Sequence, residues 1–333
     1  MLIEIHILQN HTPSNLNRDD TGSPKECIFG GVKRARISSQ CLKRSIRRSE
    51  VFTSRLEGKL ANRTRRLPEL VREKLLEAGL DPEMADIAAR KASGFGTSEG
   101  KEQPKDKNDG TYQTAQTMFL TPADIDAITE VMLDAAKKAG SAAKFDKVSA
   151  KDLQSDATLK GYRPISVDVA LFGRMITSGA FRNVEACAQV AHAISTHRVD
   201  HEFDYFTAVD DLQGLSKDDE DTGADMIGDV EFNSACYYKY FSIDVDGLIA
   251  NLTGQSAYRQ GITEEEVKAA REVTAETIEA LLKASVLTTP TGKQNTFAAH
   301  QLPAAVLVEV RPYATPVSYA NAFVKPVFAK RDS

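Results

Sequence analysis

A short stretch near the start of the chain concentrates positive charge in a spacing that suits a polyanion. From Lys33 to Arg48 there are seven Lys or Arg and no Asp or Glu. Lys43 and Arg47 are four residues apart, as are Arg44 and Arg48, so a helix would place like charges side by side. Each such pair costs an isolated helix roughly 0.2–0.5 kcal/mol. A phosphate backbone would offset this cost, because Lys and Arg release condensed counterions when they neutralise it.

Polar residues around this stretch favour the same chemistry. Ser38, Ser39 and Gln40 stand at the start of the predicted helix, where free backbone N–H groups attract anions. Gly30 and Gly31 would let another backbone approach closely. The alternative is a solvated basic face that pairs with carboxylates elsewhere in the chain.

The distribution of charge over the whole chain supports a polyanion partner for its first part. The 333 residues carry a formal charge of −5. Residues 1–66 contain fourteen Lys or Arg and six Asp or Glu, which gives +8 and leaves −13 for the remainder. No run of eighteen apolar residues predicts a membrane span, and the start lacks the pattern of a signal peptide. Four cysteines without metal-ligand spacing predict a reducing, cytoplasmic location.

Hydrophobic periodicity predicts strands and helices in alternation. The predicted strands are 2–8, 165–173, the returning half of an arm near 230–245, and 304–310. The predicted helices begin at Ser38 or Ser39, Leu67, Thr121, Val184 and Thr263. Four strands with two or three covering helices favour an α+β sandwich of the ferredoxin or RNA-recognition (RRM) type.

Several motifs then identify a family. The segments "HTPSNLNRDD", "IFGGVKRARISSQCLKRSIRRS", "ALFGRMITSGAF", "VAHAISTHRVD", "DYFTAVDDLQ" and "SYANAF" resemble the backbone subunit of the type I-E CRISPR surveillance complex, Cascade, in the RAMP superfamily. The resemblance implies a modified RRM palm with a helical fingers insertion and a β-hairpin thumb. The implied palm segments are 1–54, 164–199 and 234–333, the fingers are 55–163 and the thumb arm is 200–233.

The resemblance implies a protein without enzymatic activity or cofactor that binds CRISPR RNA. Copies of it would polymerise along the guide with other Cascade subunits and present the guide to target DNA. The matching palm positions are Arg18, Lys25, Lys33, Arg34, Ser38, Gln40, Lys43, Arg44 and Arg47.

Positions outside the palm complete the implied site. Phe206 and Thr207 match thumb residues that flank a displaced guide base, and Met175 matches a residue that wedges against the bases. From composition alone, core packing would be the simpler role for Phe206 and Met175. Contacts to target DNA are expected from three lysines of the fingers: Lys137, Lys138 and Lys144.

Three other groups of residues were considered as sites. His192 and His197 are five apart, which does not align them on a helix face for a metal. Asp19 and Asp20 suit turn chemistry, but they also allow a second hypothesis, a metal-dependent endoribonuclease of the same fold. An acidic tip at 217–229 is expected to be solvated or to touch a neighbouring copy, with the charges at Asp218, Asp219 and Asp221.

Overall fold

The computed structural model describes residues 1–208 and 226–328. The strands are β1 (Leu2–Ser14), β2 (Glu26–Phe29), β3 (Val32–Ile37), β4 (Asn62–Thr64), β5 (Met118–Leu120), β6 (Ala188–Val190), β7 (Ala193–Ser195), β8 (Glu202–Ala208), β9 (Met226–Asp244) and β10 (Ala305–Arg311). The α-helices are α1 (Ser39–Arg48), α2 (Glu50–Arg55), α3 (Leu67–Glu77), α4 (Pro82–Ser93), α5 (Pro122–Ala139), α6 (Ala142–Phe145), α7 (Ala150–Gln154), α8 (Val167–Phe172), α9 (Val245–Thr253), α10 (Glu264–Leu287) and α11 (Gln294–Phe297).

The chain forms two compact units. The described residues of the first unit lie within 1–52, 189–242 and 280–333, and those of the second lie within 53–188 and 243–279. The second unit therefore begins near the predicted start of the fingers at residue 55, but it also takes in residues 164–188. In the described ranges, no helix combines the length and the apolar character needed to cross a bilayer.

The first unit is built on an antiparallel sheet. Its main path runs in the order β10-β1-β9-β7-β3-β2, and β6 and β8 also pair with β9. β7 lies between β3 and β9, with Ile194 opposite both Arg36 and Tyr238. Along the chain, β1, α1, β7, β9, α10 and β10 follow the β-α-β-β-α-β order of ferredoxin-like folds, with β2 and β3 added before α1 and with most of α10 in the second unit. The predicted α+β fold class is confirmed.

The pairing is stabilised by apolar side chains that the sequence places at strand positions. Ile5 and Ile7 of β1 are fully buried, and so are Ile37 of β3 and Phe241 of β9. β-Branched and aromatic residues suit a pleated, buried surface. The alternation that predicted a strand at 2–8 is therefore confirmed, and the strand extends to Ser14.

Two predicted elements were wrong. Residues 165–173 were predicted as a strand, but Val167–Phe172 is the helix α8, buried on most sides, and a short apolar run does not distinguish these states by periodicity. Residues 184–195 were predicted as an alanine-rich helix, but they contain β6 and β7. Pairing of Ile194 with β3 and β9 overrides the helix propensity of alanine there.

The second unit packs α3, α4 and α5 around a core that includes Val71, Ala88 and Ile128. α5 begins with a capping box in which the Thr121 side chain accepts from Asp124 N–H and the Asp124 side chain accepts from Thr121 N–H. This is the helix start that the sequence predicted at Thr121.

Two buried basic residues lie on strands β1 and β9 of the first unit. His11 and Lys239 are both almost fully buried, and the Lys239 ammonium donates to the side chain of Gln9. Burial lowers the pKa of His11 to about 4, and the charge of Lys239 acts in the same direction. Burial also lowers the pKa of Lys239 to about 8. At neutral pH His11 is therefore neutral, and it resists protonation as the pH falls.

This pair predicts a loss of stability in acid. The unfolded chain binds a proton at His11 near its ordinary pKa of 6.5, whereas the folded chain binds it only near 4, so the free energy of unfolding should fall as the pH drops through this interval. The loss is on the order of 3 kcal/mol at about 1.4 kcal/mol per pKa unit. His11→Phe should flatten the acid limb of a urea-unfolding series from pH 4 to 7, whereas the exposed control His300→Gln should keep it. An unaltered acid limb in His11→Phe would contradict the assignment.

Candidate nucleic-acid interface

Helix α1 presents the basic residues of the first unit. Ser38 is its N-cap, and the Ser38 hydroxyl accepts from the N–H of Cys41 at 3.3 Å. Leu42 and Ile46 are buried, which anchors the helix through one face. Arg47 and Arg48 fall in the last turn, where cations are favoured by the helix dipole. The predicted helix and its cap are confirmed.

The loop before β2 carries further cations to this helix. The N–H of Lys25 donates to the carbonyl of Asn17 at 2.8 Å, and the N–H of Arg36 donates to the carbonyl of Lys25 at 2.8 Å. The side chain of Asn17 accepts from the N–H of Ser38 at 2.9 Å. The loop is thus fastened to both β3 and the start of α1.

Cations from β3, from the loop before β2 and from α1 shift the pKa values of neighbouring side chains. Burial lowers the pKa of His192, and the charges of Arg36, Lys25 and Lys43 lower it further. Burial raises the pKa of the Cys41 thiol, and the charges of Lys25 and Arg44 oppose that rise. Lys25 therefore lies near both His192 and the Cys41 thiol of α1, although it lies far from Lys43 in the sequence.

Most of these cations have no carboxylate partner inside the fold. Within residues 1–208 and 226–328, ion pairs are absent for Arg18, Lys25, Lys43 and Arg44. Cations of the second unit are commonly paired, as in Lys74 with Asp126 at 2.8 Å. Arg47 takes part in an interaction within the chain and is half-buried. The basic surface of the first unit, defined by Arg18, Lys25, Lys43 and Arg44, is thus available to an external anion.

Two predicted phosphate ligands have other roles in the fold. Arg34 is fully buried, and its guanidinium donates to four backbone carbonyls, those of Phe29, Ser195, Phe323 and Val324, at 2.7–3.2 Å. The expectation that Arg34 is a surface cation is therefore wrong. Lys33 is exposed, but it pairs with Glu26 at 2.9 Å. The sequence of β3 does not show that Arg34 is buried and Lys33 exposed, because most residues on both faces of this strand are at least partly buried.

Gly30 has a packing role rather than a ligand role. Its φ is +63°, and a Cβ at this position would lie 1.8 Å from the carbonyl oxygen of Val324. The β2–β3 turn thus meets the same C-terminal segment that Arg34 binds. Among the other predicted palm residues, Ser38 uses its hydroxyl as the helix cap, and Gln40 is exposed.

Two basic groups beside this surface were not assigned to RNA binding from the sequence. Arg36 lies on β3 and contacts His192, with Nη1 at 3.3 Å from Nδ1. His192 lies between β6 and β7, a segment predicted as helical. The pairing of β3 with β7 brings Arg36 and His192 together. A local sequence pattern therefore could not predict that these two residues form a contact.

A cleft adjoins the basic surface at the predicted aspartates. It holds about 580 Å³ and is lined by Arg18, Asp19, Asp20 and Arg44, among others. Asp19 is committed to a turn, since its Oδ1 accepts from Thr21 N–H at 2.9 Å and from Ser23 N–H at 3.0 Å. The hydrogen bond from the Thr21 hydroxyl lowers the pKa of Asp19. The turn chemistry expected of this residue is present.

Metal ligands do not gather at this cleft. In the part of the chain that the structure describes, one trio of acidic or histidine side chains could hold an ion: Glu4, His6 and Glu309. Its members already have partners. Glu4 accepts from Val317 N–H at 2.7 Å, and His6 contacts the Tyr238 hydroxyl at 2.8 Å. We therefore assign this trio to packing of the C-terminal segment.

The thumb residues lie on an exposed hairpin. β8 pairs with β9 from Glu202↔Phe232 to Ala208↔Met226, and Phe206 lies opposite Gly228. A Cβ on Gly228 would lie 2.6 Å from the Phe206 ring, so the ring rests over this glycine. Phe206 is 39% exposed, and Thr207 is exposed as well. Core packing is thus excluded for Phe206. The acidic tip with Asp218, Asp219 and Asp221 lies largely outside the described residues.

Met175 lies in the second unit and is 94% exposed, so core packing is excluded for it too. Its neighbours hold it in place. Arg174 is buried and donates to Asp124 at 2.6 Å, and Ile176 N–H donates to the Asn183 side chain at 2.7 Å. Burial tends to raise the pKa of Asp124, but Arg174 and Arg163 outweigh it and hold that pKa below its ordinary value. An exposed methionine on so anchored a backbone is suited to a contact with a partner.

The three lysines of the fingers are exposed. Lys137 and Lys138 occupy the last turn of α5, and Lys144 lies in α6. None has an ion pair within the described residues. These lysines are therefore accessible to a partner, and their contact with target DNA stays a prediction.

Comparison with known proteins adds the family. Residues 3–333 match the family of CT1975-like proteins. One similar solved structure is a chain of a "CRISPR RNA-guided surveillance complex, pre-nicking", with 30% identity and a TM-score of 0.76 over 100% of this chain and 84% of that one. Another, from a "CRISPR RNA-guided surveillance complex", has 26% identity and a TM-score of 0.67 over 99% and 82% of the two chains. No curated protein matches. The chain belongs to the CT1975-like family.

Proposed function

We propose that this chain is a guide-RNA-binding backbone subunit of a type I-E CRISPR surveillance complex, Cascade, of the RAMP superfamily. Several copies line one CRISPR RNA, beside other subunits, and present it to target DNA in antiviral defence. The observation that carries the proposal is the basic surface of the first unit, whose cations lack carboxylate partners among the residues that the structure describes. The 30% identity to a chain of a surveillance complex over the full length of this chain supports it.

The chemistry of this surface fits a guide of any sequence. Lys and Arg contacts to phosphate fix the position of a strand but carry no sequence information. A protein that must accept every spacer needs contacts of this kind, because base pairing between guide and target reads the sequence. The exposed side chain of Gln40 adds a hydrogen-bonding group beside Lys43 on α1.

The hairpin and Met175 supply the apolar contacts. Phe206 and Thr207 flank a displaced guide base, and Met175 packs against the bases. Phe203 and Tyr205 are each 65% exposed on the opposite face of β8, which supports a contact with another copy of the chain. The exposed lysines of the fingers, Lys137, Lys138 and Lys144, are proposed to contact target DNA.

The protein is proposed to be non-catalytic. Cutting RNA by the metal-dependent route would require an aspartate free to hold a divalent ion beside the phosphodiester. Asp19 instead accepts three hydrogen bonds from Thr21 and Ser23. Asp20 is exposed in the same cleft as Arg18 and Arg44, which is the observation that favours the second candidate, a metal-dependent endoribonuclease.

The first test concerns phosphate binding. Lys43→Gln with Arg44→Gln should weaken binding of all guide sequences about equally. The slope of log affinity against log salt should fall by roughly 1.4 for two lost contacts to a single strand. Fluorescence anisotropy with two unrelated guides between 50 and 300 mM salt measures both quantities.

Lys268→Gln with Arg271→Gln is the matched control, since it removes the same charge from exposed positions of helix α10. It should leave the slope as it is. If the two double variants changed the affinity and the salt slope equally, binding would depend on the overall charge of the protein. The basic surface would then not be the RNA-binding site.

The second test concerns the hairpin. Phe206→Ala should change the tolerance of guide–target mismatches at regular intervals, because the displaced base loses its neighbour, while the salt slope stays constant. Gly228→Ala should give a similar change by pushing the same ring aside. The measurement is binding of assembled complexes to a tiled mismatch series of target DNA, with Tyr313→Ala as an exposed aromatic control outside the hairpin. An identical mismatch pattern in all three variants would remove Phe206 from this role.

The third test separates the two candidate functions. Guide-loaded protein incubated with complementary RNA and Mg²⁺ or Mn²⁺ should leave the RNA intact on a denaturing gel. Asp20→Asn should behave identically. Site-specific cleavage that disappears in Asp20→Asn would establish the endoribonuclease instead.

A further inference from the structure

We propose that Arg36 and His192 form an additional phosphate-binding pair beside the basic surface, and that guide RNA binding protonates His192. The inference rests on the proposed function and extends it to two residues that the sequence did not assign to RNA binding. It begins with the contact between Arg36 Nη1 and His192 Nδ1 at 3.3 Å.

This contact fixes the state of the His192 ring in the free protein. A guanidinium only donates hydrogen bonds, so Nδ1 of His192 must accept. The ring is therefore neutral, with its proton on Nε2. Arg36 is held in place from its other side, where Nε donates to the carbonyl of Glu26 at 3.2 Å.

The surrounding charges keep the ring neutral. The groups that act on His192 are cations from three elements: Arg36 on β3, Lys25 in the preceding loop and Lys43 on α1. Together with partial burial, they hold the pKa of His192 below its ordinary value of 6.5.

Neighbouring ionisable groups are committed elsewhere. The Glu26 carboxylate pairs with Lys33 at 2.9 Å and lies 3.5 Å from His201. Lys239 on β9 is buried and donates to Gln9. No carboxylate is thus placed to neutralise the cluster around His192 among the described residues.

A phosphodiester beside these cations reverses the local field. It attracts a solvent proton to Nδ1 of His192, which then becomes a donor and releases the Nη1 N–H of Arg36. Both groups can donate to phosphate oxygens as charge-assisted hydrogen bonds. The net change is uptake of one proton from solvent for each phosphate bound at this pair.

Proton uptake makes RNA affinity depend on pH in a defined direction. The pKa of His192 is lower in the free protein than in the complex, so affinity rises as the pH falls through the interval between the two values. The rise levels off below the free-protein pKa and vanishes above the bound pKa. A difference of one pKa unit corresponds to about a tenfold gain in affinity.

The experiment measures affinity for a uridine oligonucleotide from pH 5.5 to 8.0 at constant salt, because uracil carries no charge in this range. The unsubstituted protein should bind more tightly as the pH falls. His192→Gln should bind more weakly and lose most of the pH dependence, since glutamine cannot titrate. His300→Gln, an exposed histidine outside the surface, should keep the full dependence.

A second readout follows the proton itself. The His192 resonance in NMR spectra of the full chain should titrate below 6.5 without RNA and at a higher pH with the oligonucleotide. The pair is refuted if the protein binds RNA with the expected loss in Lys43→Gln, but His192→Gln keeps the pH dependence or the His192 titration does not move. If the unsubstituted protein binds no RNA at any pH, the proposed function fails and this inference fails with it.

Discussion

The buried guanidinium of Arg34 is the interaction on which the first unit most depends. It donates to carbonyls at the end of β2, in β7 and in the segment at 323–324, which are far apart in the sequence. A buried charge is tolerated only when its donors are satisfied, so these segments have to meet at one point. Gly30 makes the meeting sterically feasible. The strand that carries Arg36 is thereby fixed against β7.

This fixed frame allows a set of like charges to stay close together without neutralisation. Arg18, Lys25, Lys43 and Arg44 come from a loop and a helix whose backbones are joined through Asn17. Repulsion among these cations raises the free energy of the unbound protein. A bound polyanion relieves this repulsion, and the relief favours binding. The second unit shows the opposite arrangement at its buried centre, where Asp124 meets both Arg163 and Arg174 at 3.0 and 2.6 Å. One group of cations stabilises a fold, and the other remains ready for a partner.

The apolar contacts follow a similar division between anchored and exposed groups. Met175 is exposed between two residues whose backbone N–H groups are hydrogen-bonded within the second unit, Arg174 to the carbonyl of Val184 and Ile176 to the side chain of Asn183. Phe206 is exposed over a glycine of the adjoining strand. In both cases the backbone is already held, so binding has to order the side chain alone.

The sequence by itself determined the basic segment, the α1 helix with its Ser38 cap, the helix start at Thr121 and the strands β1 and β10, because these depend on local propensity and spacing. It also located the residues of the family motifs. Only the tertiary structure decided that Arg34 is buried while Lys25 and Lys43 are not, and that residues 184–195 pair as strands. Such choices depend on contacts between distant segments, as between Arg36 and His192. A local pattern shows where charged side chains lie along the chain. Whether such a charge is buried, paired or exposed depends on residues from distant segments.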